Sequence, residues 1–298
     1  MSNNRSSGGY FSKDADKLIY SSDKSGIFNI YEVDLSTNEE TQLTDSKEES
    51  FFVRGYSPNT GEVIYSADKG GNENSHIYLI REGNSIDLTP GENTKASYVG
   101  WTNDELGMYI ISNSRDPRFF DLYKIDIVTL ESEMVFKNDS GYNLNSISNN
   151  DRYLVLSLNL SRSEQKLFLY DVKSKQQVEI SNQAANFSGQ NFDKNDENYF
   201  YTTNYDSEFY YLMSYNLKNG ERSTVYKTNW DVAFSYLSKN NSYRVIAVNE
   251  DAQNKLTIKN MSDQSDLNLI GFENMNINSV GFSDDEKLLR VSAGSPNS

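Results

Sequence analysis

Acyl transfer by a serine nucleophile needs an imidazole to take the hydroxyl proton, and this chain holds a single histidine, His76. It opens the run His76-Ile-Tyr-Leu-Ile, and no Ser and carboxylate stand at a diagnostic spacing from it. The position reads as the edge of a strand rather than as a general base. Paired acids could cleave a glycoside, and Asp14 with Asp16, Asp104-Glu105 and Asp284-Asp285-Glu286 are candidates by type. Each falls in a recurring polar cluster, where Asp side chains bond backbone amides and favour tight turns. The segment Asp68-Lys-Gly-Gly-Asn-Glu-Asn offers several oxygen donors for a hard cation. It lacks EF-hand spacing and carries Lys69, so no metal is expected. With no Cys in the chain, disulfides, thiolate metal sites and Cys catalysis drop out. Catalytic residues, metals and cofactors are therefore all expected to be none.

The polar clusters belong to a repeat. An apolar residue precedes the first turn of each unit at Phe11, Tyr56, Trp101, Ile147, Phe192, Leu237 and Phe282, with successive spacings of 45, 45, 46, 45, 45 and 45. Ser, Thr or Asp follows each, then an apolar run such as Val63-Ile-Tyr or Tyr153-Leu-Val-Leu. A third run recurs as Ile30-Tyr31, Ile77-Tyr78, Leu122-Tyr123 and Leu167-Phe168, and a fourth as Gln42-Leu-Thr, Asp87-Leu-Thr and Glu179-Ile-Ser. Four short strands per unit of this length are the signature of β-propeller blades, which bury their apolar faces only against neighbours like themselves. Helical spacing is nowhere sustained. The expected fold is all-β: a propeller of four-stranded blades on a seven-bladed plan, six complete and the seventh truncated. The expected blades are residues 9–44, 53–89, 97–136, 144–181, 188–226, 232–270 and a partial 277–298, with 1–8 as a disordered lead-in. The chain reads as a fragment of something longer.

The repeat places two polar loops side by side. Asn72, Glu73 and Asn74 lie between the second and third strands of blade two, and Arg115 to Arg118 occupy the same loop of blade three. A Glu there could hold a peptide's α-amino group, and an Arg a carboxylate or carbonyl. These loops are expected to meet either a peptide or a neighbouring domain; the competing expectation is that Arg115 and Arg118 simply pair with Asp116 and Asp121. Arg54 joins the candidates, as does Trp230, which precedes the inner strand of blade six. Trp101 fills the repeated apolar slot and is expected in the core.

Bulk composition narrows the partners. The formal charge is −15, which repels nucleic acid and anionic lipid, so neither is expected. No apolar run approaches the ~18 residues that span a bilayer. The opening Met1-Ser-Asn-Asn-Arg-Ser-Ser-Gly has no apolar core and does not read as a signal peptide.

Several runs resemble the N-terminal propeller of prolyl oligopeptidase-family serine peptidases, the group with dipeptidyl and acylaminoacyl peptidases. They are Ser21-Ser-Asp-Lys-Ser-Gly-Ile-Phe-Asn-Ile-Tyr, Phe52-Val-Arg-Gly-Tyr, Ser66-Ala-Asp-Lys-Gly-Gly-Asn-Glu-Asn, Ser112-Asn-Ser-Arg-Asp-Pro-Arg-Phe-Phe-Asp-Leu-Tyr and Thr228-Asn-Trp-Asp-Val. The resemblance covers nearly the whole chain, and TolB-type propellers share its repeats. It implies a propeller lying over an α/β-hydrolase domain and admitting peptides but not folded proteins. It also implies a catalytic Ser in a G-x-S-x-G elbow, which is absent here, so no triad residue carries over. The resemblance thus implies a non-catalytic domain whose partners are a peptide and a hydrolase domain of the same parent. A TolB-like binding scaffold is the alternative.

Overall fold

Each repeat folds as an antiparallel meander. The computed structural model describes residues 4–251, 253–272 and 275–294. The first sheet holds β1 (Ser6–Phe11), β2 (Lys17–Ser22), β3 (Asn29–Asp34) and β4 (Glu40–Gln42). The second holds β5 (Phe52–Tyr56), β6 (Val63–Ala67), β7 (His76–Arg81) and β8 (Asn84–Asp87), and the third β9 (Ala96–Trp101), β10 (Gly107–Asp116), β11 (Phe119–Asp126) and β12 (Ser132–Phe136). The fourth holds β13 (Asn143–Ile147), β14 (Tyr153–Asn159), β15 (Gln165–Asp171) and β16 (Gln176–Glu179). The fifth holds β17 (Phe187–Phe192), β18 (Asn198–Thr203), β19 (Tyr211–Asn216) and β20 (Arg222–Tyr226). The sixth holds β21 (Asp231–Leu237), β22 (Tyr243–Glu250) and β23 (Gln253–Asn260), and β24 (Asn276–Phe282) pairs with β25 (Leu289–Gly294) in a two-stranded sheet. There is no helix among the described residues, so none is long and apolar enough to cross a membrane.

Burial follows strand order. All five residues of β6 are buried, because both faces of a second strand are covered by neighbouring sheets. The outermost β4 is exposed throughout. First strands approach one another, β1 with β5, β13 with β17 and β17 with β21. Each of the six larger sheets carries a register shift in its first strand, a bulge that sharpens local twist. The turn after each first strand is built by its hydroxyl or carboxylate. Ser148 Oγ accepts the Tyr153 amide at 2.8 Å, Ser238 Oγ the Tyr243 amide at 2.9 Å, and Asp193 Oδ1 the Glu197 amide at 2.8 Å.

The chain divides into two compact units, Met1–Gly141 with Gly281–Arg290 and Tyr142–Val280 with Val291–Ser298. In the first, Ile19, Ile30, Val53 and Tyr65 fill the space between sheets one and two, and Ile64, Ile77, Leu79, Met108 and Ile125 that between two and three. Trp101 packs against the latter group and meets the Tyr98 ring at 5.8 Å, as its slot predicts. In the second unit, Val155, Leu167, Phe187 and Tyr199 lie between sheets four and five, and Phe200, Leu212, Val232 and Ile246 between five and six.

Two details depart from expectation. β1 begins at Ser6, so the fold takes in Ser6–Gly8 of the stretch expected to precede it; residues 1–3 lie outside the described residues. The sixth sheet has three strands rather than four. Its fourth run is reduced to one bridge, Lys259 to Asp266, with the Leu267 amide donating to the Ile258 carbonyl at 2.8 Å. Asp266 and Asn268 are poor strand formers, and Ile270, expected in that strand, is 88% exposed. The last four residues of the expected seventh blade, 295–298, lie outside the described residues.

Candidate functional site

The start of the third strand in sheets one to five is one structural slot filled by different chemistry. Asn29, His76, Asp121, Lys166 and Tyr211 occupy it, and each ties the third strand to the segment ending the fourth. Asn29 Oδ1 accepts the Ser46 amide at 2.7 Å and the Thr44 hydroxyl at 3.0 Å. His76 Nδ1 lies 2.7 Å from Asp87 Oδ2, Lys166 pairs with Glu179 at 3.0 Å, and the Lys227 ammonium sits 4.6 Å over the Tyr211 ring. His76 is therefore one of five versions of a strand tie, which accounts for it without catalysis.

The slot is most elaborate in blade three. Asp121 is fully buried. It receives Arg115 Nε at 2.6 Å, Arg115 Nη2 at 2.9 Å and the Asn138 amide at 2.7 Å. Burial pushes the Asp121 carboxyl up, but the Arg115 and Asn138 hydrogen bonds outweigh it and hold the group below its ordinary value. Arg115 also reaches the Asn138 carbonyl at 3.3 Å and Asp139 at 3.1 Å. Arg118 bonds Asp116 through Nε at 3.0 Å and Nη2 at 2.7 Å, keeping that carboxyl well below the usual range. β10 extends to Asp116, so Arg115 stands at a strand end and only Pro117 and Arg118 form the loop expected at 115–118; both arginines have partners within blade three.

Asn72 and Glu73 are exposed and Asn74 is half-buried. Glu73 adopts φ 60° and its amide donates to Asp68 Oδ2 at 3.0 Å. The two loops end on one short segment: the Ala96 amide donates to the Ser75 carbonyl at 2.8 Å, and the Lys95 amide to Asn113 Oδ1 at 2.7 Å. They are neighbours through Lys95 and Ala96, with Glu73 directed at neither arginine's ion pairs. Arg54, on β5, donates through Nε to Ser66 Oγ at 3.0 Å. Trp230 lies just before β21, its ring 6.2 Å from that of Phe209. The seven candidate residues are thus spread over three places: Arg54, the paired loops, and Trp230.

The loop that sequence reasoning passed over is Asn204-Tyr-Asp-Ser-Glu-Phe-Tyr, between β18 and β19. Tyr205 is 41% exposed. The Tyr210 amide donates to Asp231 Oδ1 at 2.9 Å, and the Tyr211 hydroxyl to the Tyr205 carbonyl at 3.0 Å. The available signal was its lack of any basic residue.

Residues 44–296 match the family of prolyl oligopeptidase N-terminal β-propeller domains. The chain belongs to that family. Dipeptidyl aminopeptidase BIII of Pseudoxanthomonas mexicana is 33% identical over 103 residues, which are 34% of this chain and 14% of that protein. A prolyl endopeptidase structure, from work on inter-domain dynamics in catalysis and specificity, superposes with a TM-score of 0.71 at 12% identity, over 98% of this propeller and 50% of that chain. An oligogalacturonate lyase in complex with manganese gives 0.70 at 15% identity, over 96% and 86%. TolB from Acinetobacter baumannii gives 0.55 at 12% identity, over 96% and 73%. At these identities the structures share the fold. This prolyl oligopeptidase-family propeller spans half of the endopeptidase and a small part of the aminopeptidase.

Proposed function

We propose that this propeller gates peptide access to an α/β-hydrolase domain of the same parent protein and docks on it, while performing no chemistry of its own. The family match over residues 44–296 carries the reading. Two features support it. The sequence holds no G-x-S-x-G elbow, and its one histidine is engaged with Asp87 at 2.7 Å in a strand tie. The parent is then a serine peptidase acting through an acyl-enzyme. The loops carrying Asn72, Glu73, Asn74, Arg115 and Arg118 are the proposed contact with peptide or hydrolase domain, with Arg54 and Trp230 as further contacts. The sheet of β24 and β25 is the first half of a seventh blade.

The lyase likeness does not favour an acidic-sugar reaction. A chain of net charge −15 repels a polyuronate. Among the described residues no three His, Cys, Asp or Glu side chains could hold a metal. The second reading is a TolB-like binding scaffold, favoured by the extent of that superposition.

The test is incubation of this chain with chromogenic peptides, together with the reading frame past Ser298. The reading predicts no turnover and a continuation containing G-x-S-x-G. Turnover abolished by a serine-directed inhibitor overturns it, and a stop codon directly after Ser298 favours the scaffold.

A further inference from the structure

The loops joining second to third strands differ from blade to blade in one respect. Four of them supply their own cation, Lys24 in blade one, Lys69 in two, Arg118 in three and Arg162 in four, while the fifth and the two-residue sixth have none. Lys24 shows what such a cation does. Its ammonium lies 3.8 Å from the Tyr31 ring centroid, bonds the Tyr20 hydroxyl at 3.1 Å and pairs with Glu40. Aromatic faces and a carboxylate together make an ammonium site.

The Lys24 partners stand on β2, β3 and β4; the fifth loop instead carries aromatic and acidic residues of its own and no cation. Tyr205 is exposed, Phe209 packs on Trp230, and Asp206 and Glu208 face solvent. Among the described residues, neither of these two carboxylates has an ion-pair partner. The loop is nonetheless built rather than slack: Tyr205 donates its amide to Thr203 Oγ1 at 3.1 Å, and the Ser207 amide reaches the Asn204 carbonyl at 3.2 Å. Its neighbourhood already accepts one cation, Lys227 over Tyr211 at 4.6 Å. The overall charge of −15 adds long-range attraction for a cationic partner and repulsion for an anionic one.

We infer that the 204–210 loop and Trp230 dock a polypeptide segment bearing Arg or Lys side chains, which lie against the aromatic faces and pair with Asp206 and Glu208. The inference rests on the peptide-handling role above and names the class of peptide that role favours. Arginine fits best, since its guanidinium stacks on rings and bonds carboxylates at once.

Binding is measured on the full chain by calorimetry and by tryptophan fluorescence. Three hexapeptides serve as probes: an acetylated, amidated alternation of Gly and Arg, the same with Glu for Arg, and a Gly-Ala peptide with a free amino terminus. The Arg peptide alone should bind. Trp230→Ala should weaken it about fivefold. The paired changes Asp206→Asn and Glu208→Gln, isosteric and on an exposed loop, should weaken it about tenfold and flatten its salt dependence. No binding of the Arg peptide, equal affinity in the paired variant, or binding of the free-amine peptide alone overturns the inference. If neutral peptides bind and basic ones do not, this inference fails while the gating role stands. If the reading frame past Ser298 encodes no hydrolase domain, it is the gating role that fails.

Discussion

Gly189 tests how tightly the first strands of blades four and five meet. It lies on β17 with ordinary extended backbone, so space rather than conformation demands glycine there. A Cβ at this position would fall inside the Tyr199 hydroxyl and lie 2.8 Å from Asn145 Cβ and 2.9 Å from Asn145 Cγ. Tyr199 has nowhere to go: it is fully buried, its ring is 4.8 Å from that of Phe192, and its hydroxyl bonds Ser146 Oγ at 3.2 Å. Gly189→Ala should therefore cost about 2 kcal/mol in overpacking and about 1 kcal/mol in a strained hydrogen bond. At about 2–4 °C per kcal/mol, Tm should fall by about 6–12 °C. Tyr199→Phe alone should cost about 1 kcal/mol. The double variant removes the oxygen that the methyl strikes, so it should be more stable than the additive sum by about 1–2 kcal/mol. Urea unfolding of the four proteins measures this. A Gly189→Ala cost within 0.5 kcal/mol of zero, or strict additivity, would refute the packing argument.

Asp121→Ala should cost about 2 kcal/mol by urea unfolding, because the Asn138 amide loses its acceptor in a buried site. Arg115→Ala should lower Tm at pH 7, with a deficit that shrinks on acidification. Wild-type Asp121 sits below its ordinary value, so its contribution is present above pH ~4 and is lost as pH falls through the lower folded value; without Arg115, burial raises the carboxyl and acid relieves the variant. Arg244 is 4% exposed at a site filled elsewhere by Val63, Met108 or Leu154. Its Nε is unpartnered and burial lowers its pKa to about 10. Arg244→Met should be neutral or stabilising by about 1 kcal/mol on thermal melting, and a loss above about 2 kcal/mol would show that its 4.1 Å contact with the Phe200 ring matters more. The Ser36 hydroxyl, with the Thr37 and Ser36 amides, draws the Asp34 carboxyl down to about 2. Its contribution should hold above pH ~4 and fade from there towards pH 2. The stability gap between wild type and Asp34→Ala should close over that window in a pH series of urea melts.

Much of the fold was legible because one physical need repeats. A meander that cannot bury its own faces must present an apolar residue, a turn-forming side chain and an apolar second strand at each period. Trp101 and Ser148 do in space what their slots required. The sixth sheet escaped this reading because its fourth run is an outer strand, where little burial enforces pattern; the blade was expected to run to Ile270, but on that run Asp266 alone forms the bridge. The loops were less legible for the same reason. Their equivalence could be read from the period, and so could the pairing of Arg115 with Asp121 as one of two options. The strand tie shared by His76, Asp121 and Tyr211 could not, since five residue types serve it. The loop at 204–210 is defined by a missing cation, visible only against its neighbours.

The central claim, a propeller serving a peptidase active site that lies elsewhere in its parent, is tested most directly by labelling the intact gene product with a serine-directed fluorophosphonate and mapping the modified peptide by mass spectrometry. The account predicts one labelled serine, in a G-x-S-x-G segment beyond Ser298, and no label within residues 1–298. A label on a serine inside the propeller, or a gene product that takes up none, would contradict it.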